Sequence, residues 1–298
     1  LIAKDDVVLN LASGVYGKGF GYWAARYAKK VEEIEVAYDT AIDPEQVRAF
    51  LKDHPEVKVV CVCHHDTPSG TLNDIDAIGA VVAEAGALLL VDAVSSWGGM
   101  PTSPTASQAG IYVTGPNKCL GCPPSLSLVA VSEAAWAKIE SNPDAPFASM
   151  LSLKDWKNAW KKTEPFPFTP SVAELNGLSA ALDRYLDEGP EQVWERHALT
   201  AKICREGIKG MGIELWPASE DIASPTATAV KMPQGIDAGI VLKEARARYG
   251  VSMSAGRAET LGKLIRIGHM GPTAQPGYAL LAVSAMGGAL KALGAKVD

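Results

Sequence analysis

Ala87-Leu88-Leu89-Leu90-Val91 is apolar at every position and is bounded by Gly86 and Asp92. A run this short and this uniformly apolar predicts a strand buried on both faces, which requires helices above and below it. Asp92 then falls at the carboxyl end of the strand, where open α/β sheets hold their ligands. Ser95, Ser96, Gly98 and Gly99 mark a loop, and a second apolar run, Gly110-Ile111-Tyr112-Val113, leads into Thr114-Gly115-Pro116-Asn117-Lys118. One carboxylate and one lysine thus leave two strand ends 26 positions apart and can face a single crevice.

The same alternation extends in both directions. Strands are predicted near Asp6–Leu11, Val31–Val36 and Val57–Cys63, with helices at Tyr22–Lys30, Asp43–Lys52 and Asn73–Glu84. The glycine-rich stretch Ala12–Gly21 reads as a turn between strand and helix, the setting of a phosphate loop. As a dinucleotide fingerprint it is poor, because Tyr22 stands where a third glycine belongs. Beyond Lys118 come a strand over Leu126–Val131, a helix capped by Ser132, and a broken stretch from Ser141 through Trp156, Trp160 and Thr169-Pro170. A helix from Thr169-Pro170 to Leu186 and a second at Glu191–Met211 precede strands near Ile213–Trp216, Thr226–Met232 and Lys263–Gly268. Helices at Asp237–Tyr249 and Pro276–Leu293 complete the pattern. The expectation is an α/β chain: a large domain with a mostly parallel sheet over residues 1–160, and a smaller α+β domain over 161–298.

A chain of 298 residues with net charge −6 lacks the basic excess that would draw nucleic acid or an anionic membrane surface. Five cysteines, an odd number, argue against a disulfide framework and for a reducing, cytoplasmic compartment. Cys61-x-Cys63-His64-His65 and Cys119-x-x-Cys122 are not read as a zinc site, since the first pair lies within a strand pattern and no second C-x-x-C follows. No metal is expected.

An aspartate and a lysine at two strand ends suit pyridoxal chemistry, in which a carboxylate holds the ring nitrogen and a desolvated lysine forms a Schiff base. By residue type alone, a loop-capping aspartate and a solvated lysine are the commoner reading. The wording around them is more specific. Val91-Asp92-Ala93-Val94-Ser95-Ser96 and Lys118-Cys119-Leu120-Gly121-Cys122-Pro123-Pro124 resemble the class V aminotransferases of PLP fold type I. Within that family the resemblance is to members that aminate pyruvate from free pyridoxamine, giving pyridoxal and L-alanine.

The resemblance implies roles. Lys118 is the Schiff-base lysine and proton carrier, and Asp92 the partner of the ring nitrogen. Tyr16, in a Gly-x-aromatic-Gly turn, stacks on the ring, and Thr67 hydrogen-bonds its phenolic oxygen. Arg266, in Ile265-Arg266-Ile267-Gly268-His269-Met270-Gly271, binds the substrate carboxylate with Arg257. From the residues alone, Arg266 is equally open to an ion pair with a nearby acid, and His64 and His65 read as turn or core histidines. Phe168 lies in Phe166-Pro167-Phe168-Thr169, where PLP-dependent relatives carry polar phosphate ligands; Asn117 remains a donor. The implied B6 vitamer is therefore a substrate, with no cofactor beyond it; PLP is the cofactor in the alternative, an alanine–glyoxylate or serine–glyoxylate aminotransferase. A non-catalytic binding protein of the same fold is disfavoured by the intact Lys118 and Asp92. The resemblance also implies small-molecule partners, a homodimer or homotetramer, and a preceding N-terminal part containing further site residues.

Overall fold

The computed structural model describes residues 1–297. The first half alternates strands and helices: β1 (Val7–Ala12), α1 (Val15–Ala24), β2 (Lys30–Glu35), α2 (Pro44–Asp53) and β3 (Val57–Cys63). A short hairpin, β4 (His65–Asp66) and β5 (Thr71–Leu72), is followed by α3 (Ile75–Glu84), β6 (Leu88–Asp92), β7 (Ile111–Thr114), β8 (Leu128–Val131) and α4 (Glu133–Ser141). Six strands pair in the order β2-β1-β3-β6-β7-β8. All neighbours are parallel except β7 and β8, which are antiparallel. Val8, Leu9, Val59, Val60, Val62 and Val91 are buried, as strands covered on both faces must be. Asp43 and Asp74 cap α2 and α3 through their side chains, and Pro44 occupies the first helical position of α2.

After α5 (Leu153–Trp156), two long helices follow, α6 (Val172–Glu188) and α7 (Pro190–Gly210), with Gly189 at φ 89° turning the chain between them. The C-terminal part comprises β9 (Ala227–Lys231), α8 (Ala238–Tyr249), β10 (Ser254–Ala255), β11 (Leu264–Gly268) and α9 (Pro276–Ala292). Its antiparallel sheet, ordered β10-β11-β9, packs with α7, α8 and α9 around a core that includes Ile208, Val230, Val241, Ile265, Met286 and Leu290.

Four details differ from the sequence expectation. The glycine-rich stretch is not an open turn: α1 begins at Val15 and contains Gly17, Gly19 and Gly21. Packing overrides the poor helix propensity of glycine there, since a Cβ on Gly17 would lie 3.0 Å from the Leu11 carbonyl and one on Gly21 2.9 Å from the Asn10 side chain. The strand expected at Ile213–Trp216 reduces to a bridge between Leu215 and Val230, because Pro217 ends the pairing. Helix α6 is entered at Ser171, not Thr169; two residues of capping type flank Pro170, and propensity does not choose between them. Finally, the broken stretch contains the single helical turn α5, capped by Ser152.

Candidate active site

Strands β3, β6 and β7 lie side by side and parallel, so their carboxyl ends open on one edge of the sheet. Asp92 ends β6, and its Oδ1 accepts a hydrogen bond of 2.8 Å from the Val94 amide. Burial pushes its carboxyl above the usual carboxylate range; Asp66 adds to that rise, and the Val94 amide and Lys118 oppose it. Lys118 sits in the loop after β7, a loop closed by the hydrogen bonds Gly121 N to Lys118 O at 3.0 Å and Cys122 N to Pro116 O at 2.9 Å. The C-terminal segment presses on this loop at Gly271, where a Cβ would lie 2.7 Å from the Cys119 carbonyl. Among the described residues, Lys118 Nζ donates to no acceptor and forms no ion pair with Asp92. The amine is near enough to act on the carboxylate, yet the two are not paired.

The segment after β3 leaves the same edge of the sheet. Thr67 is buried and its hydroxyl bonds the Ser95 hydroxyl. His65, also buried, directs Nδ1 at the Ser95 carbonyl (3.1 Å) and the Thr226 hydroxyl (3.0 Å), and Thr226 itself donates to the Ser95 carbonyl at 2.7 Å. Burial pushes the His65 imidazole down to about 3, so it is neutral at physiological pH. Thr226 immediately precedes β9, so this network ties the carboxyl edge of the large sheet to the C-terminal sheet.

Tyr16 lies in the first turn of α1. Its amide donates to Asp66 Oδ2 at 2.7 Å, and its hydroxyl accepts from Arg257 Nη1 at 3.2 Å. Arg266, on β11, donates from Nε to the Ala255 carbonyl at 2.9 Å. It has no acidic ion-pair partner among the described residues, and the ion-pair alternative is not realised. Burial pushes its guanidinium below its ordinary range; Tyr16 and Asp66 counter this, and Arg257 adds to it. Neither Arg266 nor Arg257 forms an ion pair with an acid among the described residues, which leaves both guanidinium groups able to take an anion.

Asn117 packs beside its own loop, where a Cβ on Gly115 would meet its Oδ1 at 2.6 Å. Phe168 stands apart: its ring packs on Trp156, with centroids 6.2 Å apart, and no hydrogen bond or ring contact among the described residues joins it to Lys118 or the arginines. Asp66, Ser95 and Thr226 were not singled out in the sequence. Asp66 is fully buried, and burial raises its carboxyl while the Tyr16 and Gly17 amides oppose the rise. The first-turn amides of α1 are thus already engaged by an internal carboxylate. Of the histidines, His64 and His65 are both buried, as a core reading expects. Cys61, Cys63, Cys119 and Cys204 are buried free thiols, and no group of three or more candidate ligands for a metal is found among the described residues.

Residues 23–271 match the family model of the class V aminotransferases. The chain belongs to this family. Class V aminotransferases are PLP-dependent, and Asp92, buried at a strand end, and Lys118, near enough to act on its carboxyl, are of the residue types that would hold a pyridine nitrogen and its aldehyde. The chain is 65% identical over 297 residues to a pyridoxamine–pyruvate transaminase of Mesorhizobium japonicum, covering 100% of this chain and 76% of that protein. A crystal structure of pyridoxamine–pyruvate aminotransferase from Mesorhizobium loti superposes with a TM-score of 0.99, at 65% identity, over 100% of this chain and 76% of that one. A serine–glyoxylate aminotransferase of Methylorubrum extorquens is 32% identical over 278 residues, covering 91% of this chain and 69% of that protein. This class V aminotransferase accordingly has the fold type I architecture, an α/β fold.

Proposed function

We propose that this protein transfers the amino group of free pyridoxamine to pyruvate, giving pyridoxal and L-alanine. The observation that carries the reading is the 65% identity to a pyridoxamine–pyruvate transaminase along the whole chain, against 32% to the serine–glyoxylate enzyme. The B6 ring supplies the electron sink for a carbanion at the reacting carbon. In this reading Asp92, ionised, holds the ring nitrogen protonated. Lys118 carries a proton between the two carbons that exchange the amino group, as base and then as acid. It also takes the aldehyde covalently, in exchange with the product. Thr67, held by Ser95, donates to the phenolic oxygen, and Tyr16 covers the ring face. Arg266 and Arg257 orient the carboxylate of pyruvate or alanine. Asn117 lines the ring's outer end, and Phe168, which packs on Trp156, bounds the site beyond it without touching the ring. Residues 1–160 and 161–298 act as two domains, with the site at their junction.

The unphosphorylated vitamer is the substrate, and no separate cofactor is needed. Two features support this. Phe166-Pro167-Phe168-Thr169 offers little polarity for a group with nearly two negative charges, and the α1 amides are occupied by Asp66. Titration of the vitamer-free protein with pyridoxal and with PLP tests it. Pyridoxal is expected to bind at least about tenfold more tightly, a difference of about 1.4 kcal/mol, and pyridoxamine with pyruvate to turn over with release of free pyridoxal. Tight PLP binding, with transamination confined to amino and keto acids, is the result that promotes the glyoxylate aminotransferase.

Arg266→Ala is expected to raise the alanine KM about tenfold to 100-fold, the effect of losing about 1.5–3 kcal/mol of charge-assisted hydrogen bonding. Pyridoxal affinity should be unchanged. An unaltered alanine KM with weakened pyridoxal binding would reassign the arginine to the ring. We also infer a cytoplasmic homodimer or homotetramer: four buried free thiols support a reducing compartment, and among the described residues no helix is long and apolar enough to cross a membrane. Sedimentation of the native protein measures its assembly.

A further inference from the structure

We propose that Asp66 is a positioning residue of the ring site: from a neighbouring hairpin it locks the first turn of α1, and so holds Tyr16 in place against the substrate ring. The inference rests on the reading that Tyr16 stacks on that ring.

Helix α1 has no cap of its own. Its N-cap residue is Gly14, which offers no side chain, and no acidic residue lies in its first turn. The cap comes from elsewhere in the chain. Asp66 Oδ2 accepts the Tyr16 amide at 2.7 Å and the Gly17 amide at 3.4 Å, and Ser69 Oγ donates to Oδ1 at 3.4 Å. Asp66 is fully buried and makes no ion pair among the described residues, so its charge is met by these donors and by the positive end of the helix. Such a group is held firmly, because any displacement leaves a buried carboxylate without donors.

Gly14 reinforces the assignment. Its φ of 173° is extended backbone open to any residue, so conformation does not require glycine there. Space does: a Cβ at Gly14 would lie 2.1 Å from Asp66 Cγ and 2.4 Å from Oδ2. The missing side chain is the slot that the carboxylate fills. Tyr16 is then fixed at both ends, its amide on Asp66 and its hydroxyl on Arg257. Asp66 also directly precedes Thr67, so one short segment carries the restraint on the ring face and the donor to the ring's oxygen.

The experiment is a double-mutant cycle read by absorbance titration with pyridoxal, with circular dichroism confirming folded protein. Asp66→Ala and Gly14→Ala are each expected to weaken pyridoxal about fivefold to tenfold, the scale of a lost N-cap. Asp66→Asn retains an acceptor oxygen and should stay within about threefold of wild type. Gly14→Ala acts only by displacing the carboxylate. In the Asp66→Ala background it should therefore add nothing, and the double variant should match Asp66→Ala alone. General loss of structure would not give rescue by asparagine together with this non-additivity. Should Asp66→Ala fail to fold, Gly14→Ala and Asp66→Asn carry the comparison. Wild-type affinity in Gly14→Ala, or independent effects in the double variant, overturns the proposal while Tyr16→Ala still weakens binding. If Tyr16→Ala itself leaves pyridoxal affinity unchanged, the stacking reading fails, and the proposal with it.

Discussion

Replacement of Lys118 by alanine is expected to lower turnover of pyridoxamine with pyruvate by at least about 10³-fold, because a positioned proton carrier alone is worth about 10²–10⁴-fold and covalent capture is lost as well. The geometry that motivates this is the pairing across the strand ends: Lys118 Nζ has no acceptor among the described residues, and Asp92 is occupied only by the Val94 amide. Lys118→Arg should not restore activity, since a guanidinium stays protonated and can neither remove a proton nor bond the aldehyde. Borohydride treatment with pyridoxal gives a second measure. Mass spectrometry should find the reduced pyridoxyl group on Lys118 in the wild type and no labelled active-site lysine in the alanine variant. Labelling of another lysine at wild-type stoichiometry in Lys118→Ala removes the assignment.

The large sheet was legible because its signal is local. An apolar run bounded by glycine and aspartate defines β6 almost to the residue, and Asp43-Pro44 and Asn73-Asp74 announce their helices by capping chemistry. Where the sequence misled, the deciding force was non-local. Gly17 and Gly21 read as a turn because propensity places glycine there, yet they are helical because the helix lies directly on β1. Asp92, Lys118 and Arg266 stand out as candidates through the wording around them. Asp66, Ser95 and Thr226 do not, because their roles arise from contacts across 50, 28 and 131 positions and no spacing rule marks them. Phe168 was placed by what relatives carry at that point, and its packing on Trp156 leaves its part in the site as a proposal.

Asp92→Asn is expected to reduce turnover about 10²–10³-fold, the range seen when one preorganised electrostatic partner is removed, while stabilising the empty protein at neutral pH. The two effects share a cause. Asparagine keeps the oxygen that accepts the Val94 amide but cannot hold a proton on the ring nitrogen, so the electron sink weakens and pyridoxal still binds. In the empty protein burial raises the Asp92 carboxyl above its unfolded value of about 4. A carboxyl raised on folding opposes stability when ionised: the penalty is fully developed above the folded pKa and disappears as pH falls to the unfolded one. The melting temperature of Asp92→Asn should therefore exceed that of wild type at pH 7, with the gap closing in acid. The same raised pKa places the acid limb of the wild-type activity profile of the free enzyme above pH 4, because protonated Asp92 is inactive. Thermal melts at pH 7 and pH 4, with turnover at both, measure the trade. A variant that loses stability at pH 7 while keeping turnover makes Asp92 a structural cap of the Ala93–Ser96 turn and not the partner of the ring.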